Sequence, residues 1–166
     1  MRPTSLKLRR SSGFGILEIV IAVSIISATI FSLSFVFIVA SKLETMSLDK
    51  IRANFIAEEG LEAMRFLRDQ SWAGNLGGLS AGATYYLSFA TTTSVWSVGT
   101  NGSEIDKLFL RKVTLENVYR NGSYDIADSG ALDSDTKKIN VSVEWLERGS
   151  TTTITASTYL SNIFNN

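Results

Sequence analysis

The chain has 166 residues with 16 basic and 16 acidic side chains, and it contains no cysteine and no histidine. No disulfide can form, and Ser-His-Asp triads, Cys–His nucleophile pairs and most zinc sites cannot be built. The remaining residue types show no catalytic constellation. We therefore expect a protein that is not an enzyme and uses no cofactor.

The charges are distributed unevenly along the chain. Residues 1–13 contain Arg2, Lys7, Arg9 and Arg10 and no acid, which leaves 12 bases and 16 acids in the remainder. Binding to nucleic acid needs clustered Lys and Arg side chains that contact phosphates. The net-acidic remainder therefore predicts no nucleic-acid partner for this chain alone.

A long apolar segment comes after the basic residues. Residues 19–40, "IVIAVSIISATIFSLSFVFIVA", contain no charge, no Pro and no Gly. As a helix these 22 residues span about 33 Å, which is enough to cross the apolar core of a bilayer. Bases precede the segment and acids dominate the residues after it, which predicts a cytoplasmic N-terminus and a C-terminal part outside the inner membrane.

Glu18 lies at the start of this segment. A charged side chain is costly near the apolar core of a membrane, so the presence of this carboxylate has to be explained. A plain signal anchor would not explain it. A secretory signal cleaved near "FIVAS" would not explain it either, and its apolar region is usually 7–15 residues long. A glutamate in the first turn, near the headgroups and favoured by the helix dipole, is a third interpretation.

The stretch "SSGFGILEIV", residues 11–20, resembles the leader and helix start of type IV pilins and type II secretion pseudopilins. In that motif Gly13 matches the last leader residue, Phe14 the first mature residue, and Glu18 the glutamate at mature position five. Gly15 stands where Thr is commonest. The Pro and Gly that interrupt the helix in many major pilins are missing, which favours a minor pilin or a pseudopilin.

The resemblance implies a specific processing and assembly route. A prepilin peptidase would cleave after Gly13 and methylate Phe14. Glu18 would then neutralise the Phe14 amine of a neighbouring subunit, because a buried charge is tolerated when it is paired. The implied partners are the peptidase, other pilin or pseudopilin subunits, the inner-membrane assembly platform and the lipid bilayer.

Residues 42–72 have the pattern of a helix that continues the apolar one. A broad apolar arc is typical of a helix packed on its own domain; it comprises Met46, Ala53, Ile56, Ala57, Gly60, Met64 and Leu67. A narrower stripe of Leu48, Ile51, Phe55 and Phe66 lies elsewhere, which indicates contact with neighbouring subunits or simply deeper burial. The missing side chain at Gly60 would either allow a sheet to pack close to the helix or make the helix less stable.

The pattern changes from helical to alternating after residue 83. Residues 73–82 are rich in glycine and are predicted to be a loop, and residues 125–136 are predicted to be a polar, acidic loop. The predicted strands are 84–90, 94–98, 107–120, 137–147 and 151–164. Ile139, Val141, Val143 and Trp145 share one face, which is typical of an antiparallel sheet with one covered side. The expected fold class is α+β, with a long N-terminal helix on an antiparallel sheet.

Three weaker signals leave alternatives open. Asp125, Asp128, Asp133 and Asp135 could ligate Ca²⁺, although their spacing fits no EF-hand. Asn101, Asn121 and Asn140 begin glycosylation sequons, two of which are also turn sequences. Tyr85, Tyr86, Phe89 and Trp96 are expected in the core and sheet surface, with adhesive use or stacking on DNA as an alternative.

These observations predict four segments: a basic leader 1–13, a membrane or filament-core helix 14–41, an amphipathic helix 42–72, and a sheet 73–166. The expected function is a minor pilin-like subunit that is cleaved after Gly13 and assembled through its helix. The alternative is a monomeric membrane-anchored module that presents residues 42–166 outside the cell and does not polymerise.

Overall fold

The structure is a computed structural model, which describes residue 13 and residues 15–166. Most of the predicted leader and Phe14 lie outside the described residues. The chain divides into two compact units at Thr45/Met46, and this boundary falls inside one continuous helix, α1, Ile16–Gln70.

Helix α1 is explained by the local sequence. Residues 16–59 contain neither Pro nor Gly, so nothing interrupts the backbone hydrogen bonds over this stretch. Glu18 lies in the first turn and Arg68 in the last, where each complements the helix dipole. The predicted continuation of the apolar helix beyond residue 41 is confirmed.

The second unit begins within α1. In this part of the helix the buried face is the broad apolar arc predicted from the sequence. Its buried residues are Ala53, Ile56, Ala57, Gly60, Ala63, Met64 and Leu67. They form one core with the apolar side of the sheet, including Val113, Ile139 and Val141. Burial of a large apolar side chain contributes about 1.5–3 kcal/mol, so this face fixes the helix on the sheet.

Gly60 is a point of close approach between the helix and the sheet. A β-carbon at this position would lie 2.8 Å from Val141 Cγ1 and 2.9 Å from Arg111 Cδ. Real β-carbons do not come so close to their neighbours. The absence of a side chain at Gly60 therefore allows the close approach.

Among the described residues, seven antiparallel strands form the sheet. They are β1 (Thr84–Ala90), β2 (Val95–Gly99), β3 (Glu104–Ile105), β4 (Phe109–Arg120), β5 (Ile126–Ala127), β6 (Ala131–Glu147) and β7 (Ser150–Ser161). The main order is β2-β1-β4-β6-β7, and the short strands β3 and β5 also pair with β4. The predicted α+β class, a long helix on an antiparallel sheet, is confirmed.

The hairpin β6–β7 is the longest regular part of the sheet. Arg148 and Gly149 form its turn with φ of 53° and 83°, as a two-residue type I′ connection requires. On β6, Ile139, Val141, Val143 and Trp145 are all buried, which confirms the predicted face.

The predictions of loops at residues 73–82 and 125–136 are wrong in part. Residues Trp72–Gly77 form a short π-helix, anchored because Trp72 and Leu76 are buried and the Trp72 N–H donates to Asn166 Oδ1 at 3.1 Å. This tertiary anchoring offsets the glycines that indicated a loop.

The acidic segment 125–136 contains strand β5 and the start of β6. The register on β4 shifts between Asn117 and Val118, so that residues 134–136 bulge away from β4 while β6 continues. A bulge of this kind keeps the strand paired around an irregular, polar insertion.

Candidate functional site

The predicted processing site lies just before α1. Gly13 is exposed, and a β-carbon there would meet no atom within 4 Å. The N–H groups of Glu18 and Ile19 donate to the Gly15 carbonyl at 3.0 and 3.2 Å, which marks the helix start. The side chain of Glu18 is exposed. Phe14 is outside the described residues, so the roles of Gly13, Phe14 and Glu18 stay predictions.

In the first unit the structure describes the apolar first part of α1, which has no packing partner among the described residues. One helix near the N-terminus is long and apolar enough to span a membrane, and none of its most apolar window is buried. Side chains such as Ile21, Phe31 and Phe37 are more than half exposed. Water disfavours so large an apolar surface, so this segment is suited to lipid or to contact with other apolar helices.

Four of the five hydroxyl groups in residues 19–40 hydrogen-bond within the helix. The hydroxyls of Ser24, Ser32 and Ser34 donate to the carbonyls four residues earlier at 2.8–2.9 Å. Thr29 Oγ1 donates to the Ile26 carbonyl at 2.7 Å. These bonds reduce the cost of placing the donors in an apolar medium, so these three serines and the threonine are compatible with lipid or a helix bundle.

A second exposed apolar surface lies on α1 in the second unit. Leu48, Ile51, Phe55 and Phe66 are 49%, 49%, 66% and 44% exposed. We call these four residues the outer stripe. Their exposure contradicts the alternative that the helix is simply buried in its own domain. The outer stripe is free within the part of the chain that the structure describes, and it can contact another chain.

Sequence analysis missed Arg111, which lies buried between α1 and the sheet. Arg111 Nη1 donates to Glu59 Oε2 at 3.0 Å and to the Ile56 carbonyl at 3.2 Å. Its guanidinium lies 5.1 Å from the centre of the Trp96 ring, a cation–π distance. Burial lowers the pKa of Arg111, and the carboxylate of Glu59 opposes this change. An arginine has so high a pKa that it stays charged.

The alternating pattern of β4 could have indicated that Arg111 is buried. Phe109, Arg111, Val113 and Leu115 alternate on the buried face. The only charged member of that set needed an acidic partner on the covering helix, and Glu59 supplies it. This ion pair links α1 to β4.

The four aspartates do not assemble into a metal site. Among the described residues no group of three or more acidic side chains is placed to hold an ion. Asp133 instead accepts a 2.6 Å hydrogen bond from Arg120 Nε. Although burial raises the pKa of Asp133, hydrogen bonds from Arg120, Thr136 and the Asp135 backbone outweigh it and lower the pKa.

Two of the three sequon asparagines already serve the fold. Asn121 Oδ1 accepts from the backbone N–H groups of Ser123 and Asp125 at 2.8 and 3.1 Å, so it stabilises a turn. Asn140 lies in β6, where its amide donates to Glu116 and accepts from Ser157. The hydrogen bonds from Lys138 and Asn140 lower the pKa of Glu116. Asn101 is exposed in the segment between β2 and β3.

The structure therefore offers apolar surfaces on α1 as the candidate functional site. The unburied apolar segment belongs to the first unit and the outer stripe to the second. No protein-family model, no curated protein and no solved structure matches the chain.

Proposed function

We propose that this chain is a prepilin-like structural subunit, a minor component of a type IV pilus or a type II secretion pseudopilus. The observation that carries the proposal is the single helix α1. Its first part is apolar and unburied, and its later part packs on an antiparallel sheet. This arrangement is pilin-like, and it joins a segment suited to lipid or a helix bundle with a folded domain.

The sequence before the helix gives the proposal its specific form. The motif of Gly13, Phe14 and Glu18 would supply a cleavage site, a new amine and a carboxylate one helical turn away. The subunit is stored in the inner membrane through its apolar helix. An assembly platform then extracts it, and the helix packs against those of other subunits in the filament.

In this role the chain performs no catalysis and is itself the substrate of a prepilin peptidase. N-terminal mass spectrometry on membrane fractions tests this proposal. We expect a mature chain that begins at a methylated Phe14. Gly13→Asp should leave the leader attached, because a charged side chain does not fit the small-residue position before the cut.

The matched control for this experiment is Gly15→Asp, which adds the same charge two residues further along, after the cut. Cleavage should persist in that variant. An intact Met1 in the unmodified protein would support the alternative of a membrane-anchored monomeric module. A start near Ser41 would instead indicate a secreted protein, and either result would contradict the pilin proposal.

A further inference from the structure

A groove crosses the face of the sheet that points away from α1. On β6 the buried residues Ile139 and Val141 face the helix, so Lys138 and Asn140, which alternate with them, lie on the opposite, outer face. The groove has a volume of about 390 Å³, which lies within the range of small-ligand pockets. The packing of α1 on the sheet leaves this outer face open.

A row of paired residues across three strands contributes to the groove. Glu116 on β4 is the register partner of Lys138 on β6, and Lys138 is the partner of Tyr159 on β7. Beside this row the register on β4 shifts between Asn117 and Val118. Glu116 and Asn117 are both exposed in succession, so the broken alternation places two neighbouring polar side chains along the groove.

The groove extends from the edge of the sheet towards β5. Tyr159, which is 49% exposed, lies at the β7 side, and Asp128, just after β5, lies at the other. Tyr119 on β4 also lines it. The three strand spacings from β7 to β5 add up to about 14 Å. This span suits a short chain of linked units better than one small molecule.

The polar groups in the groove hold one another in place. Lys138 Nζ donates to Glu116 Oε2 at 3.1 Å, and the Asn140 amide donates to the other oxygen of the same carboxylate. Ser157 Oγ donates to Asn140 Oδ1 at 2.7 Å. The Glu116 side chain is still 52% exposed, so a ligand can reach it. Groups that are already ordered lose less conformational freedom when a ligand binds.

The chemistry of the lining favours an uncharged ligand rich in hydroxyl groups. Two carboxylates, Glu116 and Asp128, face one base, Lys138, and this excess of negative charge disfavours phosphate and sulfate groups. Carboxylate and amide groups bind hydroxyls by hydrogen bonds. A tyrosine offers an apolar ring face with a polar tip. A sugar ring has the complementary form, with an apolar C–H face and hydroxyls around its edge.

We propose that this groove binds a neutral oligosaccharide, with one sugar ring stacked on Tyr159 and its hydroxyls hydrogen-bonded to Glu116 and Lys138. The remaining units lie along the groove towards Asp128. Binding needs neither leader cleavage nor polymerisation, so the site goes beyond the proposed filament function. Contacts between subunits through α1 would lie on the other side of the sheet.

Isothermal titration calorimetry tests binding on the full chain, expressed without a prepilin peptidase and solubilised in a detergent that has no sugar headgroup. The neutral probes are chitotetraose, mannotetraose and maltotetraose, and a heparin tetrasaccharide is the anionic comparison. We expect at least one neutral probe to bind with a Kd of about 1 mM or tighter. Binding of none of the three, or tighter binding of the heparin tetrasaccharide, would overturn the proposal.

Tyr159→Thr removes the ring and keeps a residue suited to a strand. Its affinity should fall about tenfold, because the sugar loses its stacking surface, whereas Tyr159→Phe should bind within about twofold of the unmodified chain. Leu146→Thr is the matched control, since it removes a large side chain, 65% exposed, from the same outer face outside the groove. It should bind like the unmodified chain.

Glu116→Gln is a second variant, which decides the proposal if Tyr159→Thr lowers the melting temperature. It keeps the shape of the side chain and removes the charge that strengthens hydrogen bonds from hydroxyls, so binding should weaken about fivefold. Unchanged affinity in both Tyr159→Thr and Glu116→Gln would place the sugar elsewhere and overturn the proposal. None of these results bears on cleavage after Gly13, so the filament proposal is tested separately.

Discussion

At the residue scale, Glu18 is the side chain with the most specific expected role. It lies exposed in the first turn of α1, beside a long apolar surface that no described residue covers. An isolated membrane helix would be more stable without this charge. In a bundle of such helices the same carboxylate can pair with an amine. Whether this charge stabilises or destabilises the helix therefore depends on the neighbouring subunit.

Glu18→Gln keeps the shape of the side chain and removes its charge. We expect the membrane-stored subunit to be at least as abundant as the unmodified protein and to be cleaved normally. Incorporation into filaments should fall at least tenfold, because a buried amine would lose its partner at a cost of about 3–5 kcal/mol. The subunit is quantified by immunoblot in sheared surface filaments.

Glu44→Gln serves as the control for that variant, since it removes one exposed carboxylate from the same helix far beyond the first turn. Its incorporation should be unchanged. Normal incorporation of Glu18→Gln, with normal cleavage, would mean that Glu18 is only a favourable residue at the helix start.

Gly60 gives a prediction about stability. Gly60→Leu adds a side chain where even a β-carbon would lie 2.8 Å from Val141 Cγ1. Overpacking of this kind costs about 1–3 kcal/mol, and the better helix propensity of Leu, about 0.8 kcal/mol over Gly, offsets only part of it. We expect a lower melting temperature for the detergent-solubilised full chain, measured by circular dichroism.

The control is Asn54→Leu, which places the same residue at an exposed position of the same helix. Its melting temperature should change by no more than a degree or two. If Gly60→Leu melted like the unmodified protein, the close approach of α1 to the sheet at this point would be incorrect.

At the element scale, an asymmetric ion pair joins α1 to β4. Arg111 is 5% exposed and Glu59 is 53% exposed, so the two partners have very different surroundings. Removal of the acid leaves a buried charge without its partner, whereas removal of the base leaves a carboxylate that water can reach.

Glu59→Ala should therefore lower the free energy of unfolding by roughly 1–2 kcal/mol, less than for a fully buried pair because solvent reaches Glu59. Arg111→Met should change it by less than about 1 kcal/mol, since an apolar chain of similar length fills the site. Chemical denaturation of the detergent-solubilised chain measures both values.

The double variant Glu59→Ala/Arg111→Met is the decisive comparison. Once the buried charge is gone, loss of Glu59 should cost little, and the double variant should be more stable than Glu59→Ala alone. A double variant that simply summed the two single effects would mean that the pair is not coupled.

At the scale of the whole molecule, the proposal requires one orientation in the membrane. Four bases precede the apolar helix, and the rest of the chain is net acidic. Positive residues are retained on the cytoplasmic side, so residues 46–166 should lie outside. A C-terminal alkaline phosphatase fusion, active only outside the cytoplasm, should be active, and a cytoplasm-specific β-galactosidase fusion should be silent.

A variant with Arg2, Lys7, Arg9 and Arg10 all changed to Gln is the control for that measurement. It should lose part of its phosphatase activity, because the retained charge has been removed. An active β-galactosidase fusion to the unmodified chain would contradict both the orientation and the proposed function.

Local sequence determined most of the helix and the hairpin. The absence of Pro, the apolar run and the arc through Ala53, Ala57 and Met64 were sufficient for α1 and its buried face. Alternation from Ile139 to Trp145 was sufficient for residues 137–147 of β6. These elements depend on periodicity, which is a property of neighbouring residues and is visible before any tertiary contact is known.

Tertiary structure alone decided the features that depend on distant partners. The π-helix at Trp72 forms where Asn166, far along the chain, binds its N–H. The extension of β6 to Ala131 depends on β4 and on the Arg120–Asp133 pair. The place of Arg111 depends on Glu59, 52 residues earlier. Such pairings arise only when the folded chain brings the partners together, so local sequence patterns do not determine them.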